Sequence, residues 1–168
     1  MEYVSERPLA AKSMAALGPA SQDGLRILGL SETAEPATIV EAIDAFVFRW
    51  QDGTRPDPKV LSADDAPFAM GSLWGAQLVR RFDWEWAVVT FHDKGDSVAP
   101  GVFAPDRSLV VYPMHYLMGA LAHPSVDVTI ALSFNMLEAG TIGAAKAGIS
   151  QSHGRCRSNR TAAISRRR

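Results

Sequence analysis

The stretch GSLWGAQLVRRFDWEW, residues 71 to 86, decides the fold because a helical pattern gives way to a strand pattern within it. It carries two glycines, Gly71 and Gly75, four residues apart. Glycine costs about 1 kcal/mol relative to alanine inside a helix, and glycines at this spacing line one helix face. We therefore predict that the preceding helix or a strand packs closely there. A ligand resting on the bare backbone is the alternative.

The same stretch holds three of the four tryptophans, Trp74, Trp84 and Trp86. They could form a ligand platform or a packed core. A platform needs two exposed rings, and a position around a helix-to-strand junction does not require that. Each buried indole removes about 200 Å² from water. We predict that the three rings fasten the helix to the strand that follows.

Periodic patterns on both sides of this stretch predict helices and strands. Pro36 suits the first turn of a helix, and Gly53 suits the left-handed position that ends one. From Trp84 onward, alternating residues indicate a strand that is covered on both faces or only along its later half, and Gly95 suits the turn that follows. The predicted helices span residues 36 to 53, 64 to 82, 114 to 123 and 125 to 140, and the strands 84 to 91, 97 to 104 and 108 to 112. The predicted fold class is α+β, a small antiparallel three-stranded meander packed against about four helices.

Composition divides the 168 residues into three parts. Residues 1 to 24 are rich in Ala, Ser, Gly and Pro, which predicts a loosely ordered N-terminal segment with at most one weak helix. Residues 25 to 148 carry most large apolar side chains and are predicted to form a single α+β domain. Residues 149 to 168 contain few apolar side chains and are predicted to be a basic, disordered tail.

Charge is distributed unevenly along the chain. The net charge is −1, and six arginines between Arg155 and Arg168 leave the rest of the chain at −7. An acidic body does not attract nucleic acid, so only the arginine-rich tail is a candidate for that partner. No aromatic residue lies among these arginines to stack on bases. The tail is either a phosphate-binding segment or an inert ending.

Compartment is predicted from cysteine content and hydropathy. Cys156 is the single cysteine, so no internal disulfide is expected. The N-terminal residues differ from a signal peptide. Residues 108 to 126 are uncharged but contain two prolines and two histidines, which favours a buried strand and helix over a membrane span. We expect a soluble cytoplasmic protein with no membrane association.

Three parts of the sequence, GSLWG, DWEW and PDRSLVVYP, resemble a small bacterial family that is catalogued only as a domain of unknown function. The resemblance covers roughly residues 25 to 140. The family has no assigned activity, cofactor or catalytic residues, so the resemblance implies a fold and nothing about chemistry.

Sequence motifs for metal binding, nucleophilic catalysis and phosphate binding are missing. The chain has no CxxC, no HExxH and no GxSxG motif, and GTIGAAKAG at residues 140 to 148 lacks the hydroxyl residue of a phosphate loop. His115 and His123 lie eight residues apart on a predicted helix, about 12 Å along its axis, so they cannot share a metal there. We predict no cofactor and no metal.

Candidate catalytic residues are Glu85, His92 and Asp93. A histidine beside carboxylates can act as an acid/base pair, although a polar hairpin tip has the same composition. Burial of Glu85 between two tryptophans would raise its pKa unless Arg80 or Arg81 pairs with it, and the ion pair is the favoured interpretation.

Two functional hypotheses follow. The first is a non-enzymatic protein-binding module, for example an immunity protein that occludes a bacterial toxin, with the contact residues Asp93, Lys94, Asp96, Arg80 and Arg81. The second is a small hydrolase or lyase that uses Glu85, His92 and Asp93. The acidic body and the missing catalytic motifs favour the binding module.

Overall fold

The computed structural model describes residues 4 to 123 and 129 to 141, including the backbone but not the side chain of Asp93. These residues form five helices and a four-stranded antiparallel sheet that does not close into a barrel. The strands are β1 (Val4–Pro8), β2 (Glu85–Phe91), β3 (Ser97–Phe103) and β4 (Val110–Val111), and the helices are α1 (Ala11–Leu28), α2 (Pro36–Gln51), α3 (Ala66–Phe82), α4 (Pro113–Ala122) and α5 (Ile130–Glu138).

The sheet has the order β1-β2-β3-β4, with β2 between two antiparallel neighbours. Side chains alternate along β2. Trp86 packs with the core cluster that the helices form, whereas Ala87 and Val89 pack with Phe103 on the outer face. Ala87, Val88 and Val89 are all buried, so the middle of β2 is covered on both faces, whereas Glu85 at its start is exposed.

The prediction of three strands is wrong because β1 adds a fourth. Residues predicted to be loosely ordered form this strand and most of α1. β1 has little apolar surface and is held by antiparallel pairing with β2, which no hydrophobic pattern reveals. In α1, small residues allow close packing on α3: a Cβ at Gly24 would lie 3.2 Å from the carbonyl oxygen of Ala69.

The two glycines of α3 are both sites of close packing. A Cβ at Gly71 would lie 2.9 Å from the Cα of Met114, in the first turn of α4. A Cβ at Gly75 would overlap the indole of Trp86 on β2. The predicted close approach is therefore confirmed. At Gly75 the partner is Trp86, a residue of strand β2, as predicted. At Gly71 the partner is α4, neither the preceding helix nor a strand, because the strands fold α4 back across α3.

The tryptophans belong to the core. Trp74 and Trp84 are 3% and 7% exposed, and Trp86 is half-buried. Trp74 meets the ring of Tyr116 on α4 edge to face, with the ring centroids 5.3 Å apart. The rings of Trp84 and Phe82 are 6.0 Å apart. The prediction of a core is confirmed, but Trp74 fastens α3 to α4 rather than to the strand.

Polar side chains of α2 hold the last two helices. Asp44 accepts a hydrogen bond from the Ile130 N–H at 3.2 Å, and the Gln51 amide donates to the Ala120 carbonyl at 2.9 Å. The Thr129 hydroxyl caps α5. The predicted cap, Ser125, lies outside the described residues, as do residues 142 to 168.

No helix in residues 4 to 123 and 129 to 141 is both long and apolar enough to cross a bilayer. The uncharged stretch from residue 108 to residue 123 contains β4 and α4.

Replacing Gly75 with alanine should destabilise the protein, because the added methyl group overlaps the Trp86 indole. We expect the free energy of unfolding to fall by about 2 kcal/mol in urea denaturation. In a Trp86→Leu background the same change should cost less. Gly119→Ala is the control, since a Cβ there meets nothing within 4 Å and should stabilise α4. Equal effects at the two glycines would contradict the packing argument.

Tyr116 should lose its phenolic proton at a higher pH than an unfolded tyrosine does. Burial raises its pKa to about 12, and the nearby charge of Asp44 adds to the effect. An unfolded tyrosine has a pKa of about 10. The neutral phenol therefore favours the folded state, and this contribution is complete below pH 10 and lost as the pH rises through 12. Ultraviolet titration of the folded protein should show a late phenolate step that Tyr116→Phe removes. A folded protein without that step would refute the assignment.

Candidate functional site

The predicted catalytic residues do not meet. Glu85 begins β2, whereas His92 follows its last residue, Phe91. Seven residues of extended strand separate them by roughly 23 Å. Asp93 follows His92, but its side chain lies outside the described residues. A site that combines Glu85 with His92 is therefore wrong, because the strand holds them at opposite ends of the sheet.

Glu85 forms an ion pair, but with a different arginine from those predicted. Its side chain is 62% exposed, so the condition of burial between the tryptophans is not met. Arg107, on the turn between β3 and β4, donates to Glu85 and also pairs with Glu6 of β1 at 3.0 Å. The hydrogen bond with Glu85 is the main cause that raises the pKa of Arg107, and the charge of Glu6 adds to it. The guanidinium also lies 5.5 Å from the centre of the Phe103 ring.

Arg107 could not be predicted as this partner because its backbone geometry is unusual. It adopts a φ of 60°, which turns the chain back over the sheet. Asp106 supports the turn by accepting hydrogen bonds from the hydroxyl and the N–H of Ser108, and these bonds lower the Asp106 pKa, the hydroxyl contributing most. The resulting cluster of Glu6, Arg107 and Glu85 ties the turn to β1 and β2.

The predicted contact residues Arg80 and Arg81 are engaged within the chain. Arg80 donates to the carbonyl oxygens of Ala34 and Glu32, at 2.7 and 3.1 Å. Arg81 pairs with Glu138 of α5 at 2.7 Å. Both lie at the end of α3, near the start of β2, so they share no surface with the hairpin residues at the other end of that strand. The predicted contact set is therefore not one surface.

The structure joins two predicted residues and adds a third at the hairpin. His92 Nδ1 lies 2.6 Å from Asp96 Oδ1, and Nε2 lies 2.9 Å from the hydroxyl of Ser5. Lys94 points elsewhere, over the Phe91 ring. Ser5 was missed because it is 87 residues from His92 and belongs to a segment with no strand pattern. Only the pairing of β1 with β2 brings it there.

A second feature is an exposed aromatic ring at the start of α3. Phe68 is 43% exposed and stands between two depressions. The first, of about 480 Å³, lies beside α4 and is lined by residues that include Trp50, Arg55, Asp64, Met118 and Leu121. The second, of about 350 Å³, lies beside α1 and is lined by residues that include Pro19, Asp23, Val60, Leu61 and Asp65. We refer to Phe68 and these two depressions as the Phe68 surface.

The Phe68 surface is apolar at its centre and mainly acidic at its rim. Val60 and Met118 are each 57% exposed and extend the apolar area on either side of the ring. The charged residues that line the depressions are three aspartates and one arginine, and the arginine lies 4.8 Å from the centre of the Trp50 ring. No sequence pattern predicted this site, because an exposed phenylalanine on a helix has the same residue type as one in the core.

Metal ligands do not converge in the described part of the chain. No group of three or more His, Cys, Asp or Glu side chains there is placed to hold an ion.

Comparison with known proteins gave no relative. No protein-family model matches the chain, and no curated protein or solved structure matches it significantly. The resemblance to a bacterial domain of unknown function therefore stays a prediction.

Proposed function

We propose that this protein is a cytoplasmic protein-binding module, and that its Phe68 surface receives an amphipathic helix with basic flanks from a partner protein. By covering that helix, the protein would occlude its partner, as an immunity-type protein occludes a toxin. The exposed Phe68 ring between two depressions is the observation that carries the proposal.

The shape of the surface favours a helix as the occupant. Binding energy concentrates in a few central side chains, often aromatic, that are surrounded by residues excluding water. Phe68 has that central position, with Met118 and Val60 on its two sides. Two depressions separated by one ring suit successive apolar side chains of a helix that lies across them.

The charges that line the Phe68 surface favour a partner helix with basic flanks. Asp64 lines one depression, and Asp65 and Asp23 line the other, where Asp23 also pairs with Arg26 at 2.7 Å. Arg55 is the cation among the lining residues, and it stacks on Trp50 at the edge. Without its six C-terminal arginines the chain has a net charge of −7, which would attract a basic partner over a distance and speed encounter.

Replacing Phe68 with serine should release the partner. The tagged full-length protein would be purified from its native host, and retained proteins would be identified by mass spectrometry and cross-linked to locate the contact. We expect a stoichiometric partner whose basic helix cross-links to α1, α3 or α4. Phe68→Ser should weaken its affinity by about 30-fold or more, the loss typical of a central anchor.

Phe48→Ser is the matched control, because Phe48 is 54% exposed on α2 and lines neither depression. It should leave the affinity within about twofold, as surface changes away from an interface do. Asp64→Asn should slow association at low salt and have little effect at high salt. Thermal melts would verify that each variant is folded.

Three results would contradict the proposal: no retained partner, a partner that Phe68→Ser still binds fully, or a second copy of the chain as the occupant, detected by analytical ultracentrifugation. Retention of nucleic acid by the full chain and not by one ended at Gly148 would assign binding to the arginine-rich tail.

A further inference from the structure

The hairpin between β2 and β3 carries a chemical arrangement that the protein-binding proposal does not use. The Ser5 hydroxyl, the His92 imidazole and the Asp96 carboxylate are connected in series by contacts of 2.9 and 2.6 Å. We propose that these three side chains form a nucleophilic relay that hydrolyses small carboxylic esters with a short apolar acyl chain.

The order of the contacts fixes the roles of the two imidazole nitrogens. An ionised carboxylate only accepts hydrogen bonds, so His92 Nδ1 carries a hydrogen and donates it to Asp96. In the neutral ring, Nε2 is then the bare nitrogen and accepts the hydrogen of the Ser5 hydroxyl. A hydroxyl, a general base and an orienting carboxylate in this order are the components of serine-dependent acyl transfer.

The backbone holds each member in place from a different element. Antiparallel pairing sets Ser5 opposite Thr90, two residues before His92. His92 begins a short 3₁₀ turn. Gly95 and Asp96 follow with φ values of 66° and 57°, so two consecutive left-handed residues return the chain toward the imidazole. Aspartate is among the few residues that tolerate this conformation, and here it orients the carboxylate.

An apolar groove lies beside the relay on the same face of the sheet. Ser5 and Val98 both pair with Thr90, from opposite sides, and directly paired residues project to the same face. Val98, Val88 and Pro100 line a groove of about 350 Å³ between this face and α1. Arg7, two residues after Ser5 on the same face of β1, also lines this groove. We take the groove as the site of the acyl chain, and its apolar lining sets the proposed substrate class.

The position of β1 leaves backbone hydrogen-bond donors unpaired along one edge of the described sheet. Within the described residues β1 pairs with β2 alone, so it forms one edge of the sheet. Alternate backbone N–H groups of an edge strand point away from its neighbour. Donors beside the nucleophile can stabilise the negative charge that develops on the carbonyl oxygen during attack.

The reaction proceeds in two balanced steps. The Ser5 oxygen bonds to the ester carbonyl carbon while its proton passes to His92 Nε2, and the alcohol leaves with that proton as the carbon–oxygen ester bond breaks. Water then attacks the carbonyl carbon of the acyl-serine and gives one proton to Nε2. The bond between that carbon and the Ser5 oxygen breaks, the carboxylic acid leaves, and Nε2 returns the proton to Ser5. The side chains of His92 and Asp96 are 44% and 74% exposed, so water reaches the relay directly.

The full-length protein would be assayed with p-nitrophenyl butyrate. We expect an initial release of about one p-nitrophenolate per chain and a butyryl group on Ser5, located by peptide mass spectrometry. Ser5→Ala should remove both signals. His92→Gln should slow acylation by about 100-fold, the usual contribution of a general base. Ser5→Cys keeps a nucleophile, and its butyryl thioester should form faster with His92 in place than in a Ser5→Cys, His92→Gln double variant. A purely structural role for Ser5 would not produce that difference.

Matched controls separate the relay from background reactivity of surface groups. Ser97→Ala and His115→Gln alter an exposed serine and an exposed histidine outside the relay, and both should react like the unchanged protein. A butyryl group on a lysine or histidine instead of Ser5, or an unchanged rate in Ser5→Ala, would overturn the proposal. Partner binding in Ser5→Ala tests the Phe68 surface separately, so the two proposals can fail independently.

Discussion

The contact between the Gly75 backbone and the Trp86 indole sets the distance between α3 and the sheet. One turn earlier, Gly71 lets the first turn of α4 pack against α3, where a Cβ would lie 2.9 Å from Met114. These two contacts fix α3 against both the sheet and α4 along its bare face. Phe68, one turn before Gly71, is thereby held at the point where the grooves beside α1, α4 and the sheet meet. The positions of all three grooves therefore depend on α3 lacking two β-carbons.

Much of the fold could be predicted because its determinants are local. Pro36 begins α2, and Gly53 and Gly140 adopt the left-handed conformation after α2 and α5. The alternation along β2 and the turn at Gly95 specify a hairpin with little help from the rest of the chain. Gly71 and Gly75 lower the stability of α3 as a helix, and this cost indicates close packing at both positions without identifying the packing partner.

The remaining features depend on contacts that are distant in sequence. β1 contains one large apolar residue, Val4, and its position comes from backbone pairing rather than side-chain burial. Glu85 meets Arg107 because a residue at positive φ reverses the chain, which composition does not encode. The candidate sites share this origin. Ser5 and His92 meet through pairing of remote strands, and Phe68 is marked only by its exposure.

Strand order also has a consequence for how the chain folds. The β2–β3 hairpin closes over a few residues, whereas β1 and β2 pair residues that are 79 to 87 positions apart, from Pro8 with Ala87 to Val4 with Phe91. The entropy lost on closing a loop grows with its length, so distant pairing is the slower event. We expect β1 to join the sheet late and, as an edge strand, to detach early. The imidazole and its hydroxyl partner would then meet only in the completed fold.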